Sequence, residues 1–232
     1  ITMKRTTHAL LLLLAIVWTT QAVQAENWPG WRGPRGDGSS ASQSVPISWD
    51  VTTGKNLLWK TPLSATGHSS PIIHGNRVYI VGCINAKQQR TLSALDAHTG
   101  KLIWERVVLA SPLESKHNLN SYASGTPVTD GKTVYAQFAS AGIVAYDFDG
   151  NRLWHRDLGP VLHRWGNGSS PVLYKNLLIL FHGPGEPSLV ANSCHPSMPA
   201  TRHPTGKPSF LLAITSPTVD ARMTSPRPTG GT

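Results

Sequence analysis

Cysteine is almost missing from this chain of 232 residues: there are two, Cys83 in an extended apolar run and Cys194 in an unpatterned stretch. Nothing positions the pair for a disulfide, so two free or buried thiols are expected. Charge is sparse as well, at 14% of residues, with 12 acidic side chains against 21 basic ones. Six of the basic residues (Lys4, Arg5, Arg202, Lys207, Arg222, Arg227) and one acidic residue (Asp220) lie near the ends, which leaves residues 26–190 at only +4. The remaining cations are dispersed, and no nucleic-acid partner is expected. Long apolar runs are lacking too: residues 9–17 form the longest, too short to cross a bilayer comfortably, so no membrane span is expected. Outside that run there is no helical periodicity, which leaves an all-β chain.

What the chain does hold is turn chemistry and tryptophan. Residues 94–104 read A-L-D-A-H-T-G-K-L-I-W, and residues 145–154 read A-Y-D-F-D-G-N-R-L-W. Each is a β-hairpin: an alternating run, a polar turn with a glycine (Gly100, Gly150) where positive φ is needed, and a second extended run. Asp96 and Asp147 end the first strand, where a carboxylate accepts N–H bonds from the turn. Ala94 and Ala145 precede them by two residues. Trp104 and Trp154 follow on the last strand, where so large a side chain can cover the edge of a neighbouring unit.

The hairpins sit inside longer repeats. A Ser/Thr-Pro-Ile/Val strand start recurs at Pro71, Pro127 and Pro171, and a tryptophan recurs at 59, 104 and 154. Strands are expected over 68–73 and 78–84, then the 91–109 hairpin, as one four-stranded antiparallel sheet. A second unit follows from 124 to 158, and a third starts at 168 and stops after His182. Units of about 45 residues with four short strands each are propeller blades, because each sheet must bury both faces against neighbours. The expected fold is therefore all-β, an incomplete β-propeller of four-stranded antiparallel blades, about two and three-quarter blades in extent. So few cannot close a ring and leave a bare edge, so the isolated chain is expected to be marginal or prone to aggregate.

Flanking segments have their own signatures. Met3-Lys4-Arg5, the apolar run at 9–17 and Val23-Gln24-Ala25 read as a signal peptide over residues 1–25, placing the protein in the periplasm or outside the cell. No cysteine near the cut offers a lipid anchor. Residues 26–44 form an extended arm dense in Gly, Pro and Trp, with Trp28 and Trp31 as the expected anchors on the body. Residues 45–63 read as two strands, 46–49 and 56–61, the back half of a unit whose front half is absent. The partial propeller then spans 45–190. Residues 191–232 hold seven prolines and no Trp or Tyr, and are expected to be a disordered tail or the misread end of a longer reading frame.

The A-x-D-x-x-T-G-x-x-x-W hairpin at 94–104, its echo at 145–154 and the S-S-P-[IV] strand starts resemble the PQQ-type β-propeller repeat. Quinoprotein alcohol and sugar dehydrogenases share that repeat with non-catalytic propellers such as the outer-membrane barrel-assembly lipoprotein. The arm W-P-G-W-R-G-P-R-G-D-G at 28–38 resembles the start of exported members. The likeness covers residues 27–188 and is specific for fold. For the dehydrogenases it implies PQQ in the central channel, against two adjacent disulfide-bonded cysteines, with Ca²⁺ on Glu, Asn and Asp and an Asp as base. This chain has no adjacent cysteine pair and no recognisable ligand set, so no catalytic residue carries over and the cofactor is unassigned. Two functions stay open: a non-catalytic binding or scaffold module, in a fragment of a longer protein, or a PQQ-dependent alcohol or sugar dehydrogenase whose catalytic residues lie in missing blades.

Position supplies the candidate site. In a propeller the first strand of each blade lines the channel, so the loops entering those strands crowd one mouth. They carry His68 and Ser69; His117, Asn120 and Tyr122; and His163, Arg164, Trp165 and Asn167. These donors and rings either receive a polar small molecule, such as a sugar, or a protein partner, or they fill and hydrate a structural channel. No spacing forces His68, His117 and His163 together, so no metal is expected.

Overall fold

The computed structural model describes residues 25–42, 45–161, 163–182 and 188–194. The signal-peptide segment up to residue 24 and the tail from residue 195 lie outside the described residues. Among the described residues eleven strands make three antiparallel sheets, each ordered as the chain runs. Sheet 1 holds β1 (Ile72–His74), β2 (Arg77–Ile84), β3 (Gln89–Asp96) and β4 (Leu102–Ala110). Sheet 2 holds β5 (Val128–Thr129), β6 (Thr133–Gln137), β7 (Ile143–Asp147) and β8 (Arg152–Arg156). Sheet 3 holds β9 (Val172–Tyr174), β10 (Leu177–His182) and β11 (Ser188–Ser193). The described residues form no α-helix, and none is long and apolar enough to cross a membrane.

Sheet 2 shows why the chain reads as continuous apolar runs. Successive side chains of a strand point to opposite faces. Val134, Ala136, Val144 and Tyr146 pack with Ile72, Tyr79, Leu92 and Trp104 of sheet 1. Their alternates Tyr135, Ile143 and Ala145 pack with Leu178 and Leu180 of sheet 3. A sheet buried on both faces between two others is a blade in a stack, and the partial propeller of the sequence reading is borne out.

The hairpins repeat in detail. Ala94 pairs with Tyr79 on one side and Trp104 on the other, and Ala145 pairs likewise with Tyr135 and Trp154. A register shift follows each alanine, between Ala94 and Leu95 and between Ala145 and Tyr146. Asp96 Oδ1 accepts from the N–H groups of His98 (3.0 Å) and Thr99 (2.7 Å) and from the Thr99 hydroxyl (2.8 Å). Asp147 Oδ1 accepts from Asp149 (3.0 Å) and Asn151 (2.8 Å). Gly100 and Gly150, at φ +68° and +81°, turn each chain back. They are also where the preceding blade lands: a Cβ on Gly150 would come 2.8 Å from the Trp104 ring, and one on Gly100 2.5 Å from Trp59.

Several boundaries differ from the sequence reading. Each first strand is shorter than expected, because the residues before it turn their N–H groups to the next blade: His68 and Ser69 both donate to Ala123 O (3.0 and 3.1 Å). The segment at 45–63 forms neither expected strand, only an isolated bridge between Asp50 and Lys55. Strands need neighbours to satisfy their backbone, and this segment has no sheet among the described residues. Sheet 3, conversely, does not stop at His182. β11 pairs with β10 from His182↔Ser188 to Leu177↔Ser193, running past residue 190. Both thiols are free, Cys83 buried and Cys194 half-buried, and burial raises the pKa of each.

The arm crosses the inner edges of two sheets. Trp28 exchanges backbone hydrogen bonds with Ile73 of β1 (2.8 and 2.9 Å), and Thr129 of β5 donates to Pro29 O (2.9 Å). Trp28 folds over Gly33 of the arm itself, while its backbone holds Ile73. Trp31 is not the anchor expected of it: it stays 56% exposed, with the Arg32 guanidinium over its ring.

Candidate functional site

The inner ends of the three sheets are stitched by a hydroxyl relay. The N–H of Ser70, just before Pro71, donates to Thr126 Oγ1 (3.1 Å). The N–H of Thr126, just before Pro127, donates to Ser170 Oγ (3.0 Å). The residue before proline cannot continue a helix and sits extended. Its N–H points sideways to the next blade, and a Ser or Thr there returns an acceptor. Gly125 permits the approach, since a Cβ there would sit 2.6 Å from Ser169 O.

The loops that carry the candidate residues lie beside this relay. Arg90, fully buried on β3, fixes the start of the second loop: its guanidinium donates to the carbonyl and hydroxyl oxygens of Ser111 (both 2.9 Å) and pairs with Glu114. Asn120 ties the second loop to the third. Its Nδ2 donates to Trp165 O (2.6 Å) and Asn167 O (3.3 Å), and its Oδ1 accepts from Ser121 N (2.8 Å) and Ser124 Oγ (2.6 Å). The amide is fully engaged. His117 packs on the Trp165 ring at 4.5 Å, and its Nδ1 accepts from Leu119 N (3.2 Å). Arg164 lies over the same indole at 5.0 Å. His163 closes a turn, its carbonyl accepting from Gly166 N (2.9 Å). Asn167 Oδ1 accepts from Ser169 N (3.4 Å), and Ser69 Oγ donates to Val81 O (3.2 Å).

Three of the nine candidates share one cavity. A polar hollow of about 230 Å³ is lined by His68, Asn120 and Tyr122 together with Thr66, Gly67, Asn85, Lys116, Asn118 and Ser121. Lys116, which sequence reasoning did not single out, lies 4.7 Å from the Tyr122 ring and donates to His117 O (3.3 Å). Asn85 was missed as well, because it enters from the β2–β3 connection. A larger open groove of about 860 Å³ runs between the arm and the strand starts, past Trp31, Arg32, His68, Ser70, Thr126 and Ser170. Ser69, His117, His163, Arg164, Trp165 and Asn167 line neither cavity; Arg164 and Trp165 are exposed and the other four half-buried.

Among the described residues no three of His, Cys, Asp and Glu stand close enough to hold a metal ion. Cys83 lies inside sheet 1 and Cys194 follows β11, far from adjacent. These residues do not fit the PQQ and calcium centre that the resemblance implies, and no chemical step is derived through it.

A family model described as outer membrane protein assembly factor BamB matches residues 36–185. No curated protein matches the chain. Among solved structures, BamB from Moraxella catarrhalis is 19% identical over 59% of this chain and 36% of its own, with a TM-score of 0.43. The quinohemoprotein alcohol dehydrogenase from Comamonas testosteroni is 16% identical over 75% and 26%, with a TM-score of 0.49. A europium-containing methanol dehydrogenase is 12% identical over 56% and 24%, with a TM-score of 0.37. The chain thus spans between about a quarter and about a third of the length of these proteins. With the family model covering more than half of the chain and the blade repeat present in the fold, this chain belongs to the PQQ-like β-propeller repeat family described as outer membrane protein assembly factor BamB.

Proposed function

We propose that the chain is part of an exported, non-catalytic propeller, periplasmic or extracellular, that holds a protein partner on the loop cluster at one end of its blades. The observation that carries this is the condition of the loops. Asn120 and His117 are spent on bracing Trp165 and its neighbours, so they present a rigid surface in place of free acid–base groups. That surface exposes Trp165 at 47% under Arg164, with Leu119 at 79% close by in the adjoining loop. Exposed Trp and Arg held in place are the side chains that anchor protein interfaces. The description of the matched family, an assembly factor, agrees with a scaffold role.

The test compares full-length protein with its Trp165→Ala variant. Capture of one defined protein by the parent, lost at least tenfold in the variant while the melting curve is unchanged, supports the reading. Dye reduction by alcohols or sugars after addition of PQQ and Ca²⁺ overturns it in favour of a dehydrogenase. A polar small molecule would instead enter the hollow beside Lys116, and calorimetric sugar binding unaffected by Trp165→Ala would favour that.

A further inference from the structure

The polar hollow between the β2–β3 connection and the loop entering sheet 2 holds a cation with nothing to balance it. Among the described residues no Asp or Glu lines it, while Lys116 and His68 do. Lys116 is half-buried. Its Nζ lies 4.7 Å from the centre of the Tyr122 ring and, among the described residues, donates to one acceptor, the carbonyl of His117 (3.3 Å). The rest of its N–H capacity is undirected. Glu114, the nearest acid along the chain, is committed elsewhere: it pairs with the buried Arg90, which also holds Ser111 by two hydrogen bonds. That anchor fixes the loop two residues before Lys116 and keeps the carboxylate away from the ammonium.

The remaining polar groups divide into engaged and free. The Asn120 amide and the hydroxyls of Ser121 and Thr66 are committed to the loops themselves. The side-chain amides of Asn85 and Asn118 and the His68 imidazole make no hydrogen bond among the described residues. These three come from separate stretches of chain and meet Lys116 around one opening. An ammonium in a partly enclosed site attracts an anion more strongly than one on open surface, because less water and salt screen it. The two amides add a feature that a plain anion leaves unused, since each offers a carbonyl acceptor beside its N–H donors. A ligand that suits all of them carries a carboxylate for Lys116 and hydroxyls for the amides. The hollow, about 230 Å³, matches the liquid volume of about eight waters, so the ligand has about that number of non-hydrogen atoms.

We propose that this hollow binds a short-chain hydroxycarboxylate, with the carboxylate on Lys116 and the hydroxyls on Asn85 and Asn118. The site does not rest on the partner reading: Trp165 lines neither cavity, and a small acid in the hollow does not exclude a protein on the loops.

Calorimetric titration of the full-length protein with glycerate, glycerol and inorganic phosphate tests the site. Glycerate, which carries a carboxylate and adjacent hydroxyls, should bind. Glycerol, which keeps the hydroxyls without the charge, should bind at least tenfold more weakly. Phosphate, which has the charge without carbon-borne hydroxyls, should also bind more weakly than glycerate. Lys116→Met keeps the stem beside Tyr122 and should lower glycerate affinity at least tenfold, the loss expected for one charge-assisted contact. Asn118→Asp changes little in shape at an exposed side chain, and should abolish binding by setting a carboxylate against the ligand while the melting curve stays that of the parent. None of these readouts involves Trp165 or a protein partner, so failure here and failure of the partner reading are told apart. No glycerate binding at millimolar concentration, glycerol or phosphate binding as tightly as glycerate, or full affinity in Lys116→Met or Asn118→Asp overturns the proposal.

Discussion

The indole N–H of Trp104 donates to the carbonyl of Phe148 at 2.9 Å, across the boundary between two blades, and the ring rests against Gly150. This contact joins sheets 1 and 2 through a donor and a flat apolar face at once. Trp104 is only 6% exposed and packs beside Tyr79 and Tyr146 at ring-centroid distances of 6.0 and 6.2 Å.

Trp104→Phe removes the donor and part of the area and should cost about 1–2 kcal/mol, whereas Trp104→Ala should cost about 3–5 kcal/mol. Gly150→Ala should also destabilise, because φ is +81° and the new Cβ would meet the indole at 2.8 Å. Urea denaturation followed by fluorescence checks all three, and equal losses for the Phe and Ala variants would be the contrary result.

Thr126 both donates to and accepts from neighbouring blades and is 2% exposed. Thr126→Val keeps the shape but leaves the Ser70 N–H without its acceptor. The expected loss is about 1–3 kcal/mol, the usual cost of a buried unpaired donor. Hydrogen exchange at Ser70 should accelerate with it, and an unchanged rate would count against the relay.

The Asp96 carboxyl is held below its ordinary pKa, first by the Thr99 hydroxyl and then by the Thr99 and His98 N–H groups. A carboxylate with a lowered folded-state pKa stabilises the fold above its unfolded value, and that contribution disappears as pH falls through the folded one. Asp96→Asn should therefore flatten the acid limb of the stability curve below about pH 4. Parallel curves for parent and variant would show that the turn does not depend on the charge.

At the arm, Glu26 pairs with Arg35 at 2.6 Å and accepts from Ser40 and Ala41. The Arg35 hydrogen bond chiefly lowers the Glu26 pKa from 4.5 to about 2. The clasp should be complete above pH 4.5 and open as pH falls toward 2. Limited proteolysis within residues 31–42 should rise in Glu26→Gln at neutral pH. In the parent it should rise only in acid, read with an acid-active protease.

The hairpins were legible because their chemistry is local. An Asp that caps a turn, a Gly at positive φ and an Ala two residues before the Asp lie within eleven positions, and each acts on its neighbours. The first-strand boundaries were less legible, since the N–H groups of His68 and Ser69 bond to Ala123, a long-range choice. β11 was hidden by composition: Ser193 stands in the register position of Asp96 and Asp147, so the motif that marks the other third strands is missing. Among the site residues, Asn120 and Trp165 come from loops far apart in the chain that meet through the Asn120 amide. Lys116, Asn85 and Arg90 carried no motif and became visible only once distant loops met.

The order of polar and apolar residues was enough to decide that the fold is all-β, that its sheets repeat, and that each sheet must be covered on both sides. Alternation and turn residues act within a few positions, so they can be read along the chain. Which carbonyl receives the Trp104 indole, which hydroxyl receives Ser70, and which loop Asn120 braces were decided only by stacking the blades. Those partners are 44, 56 and 45 residues apart, and nothing along the backbone encodes them.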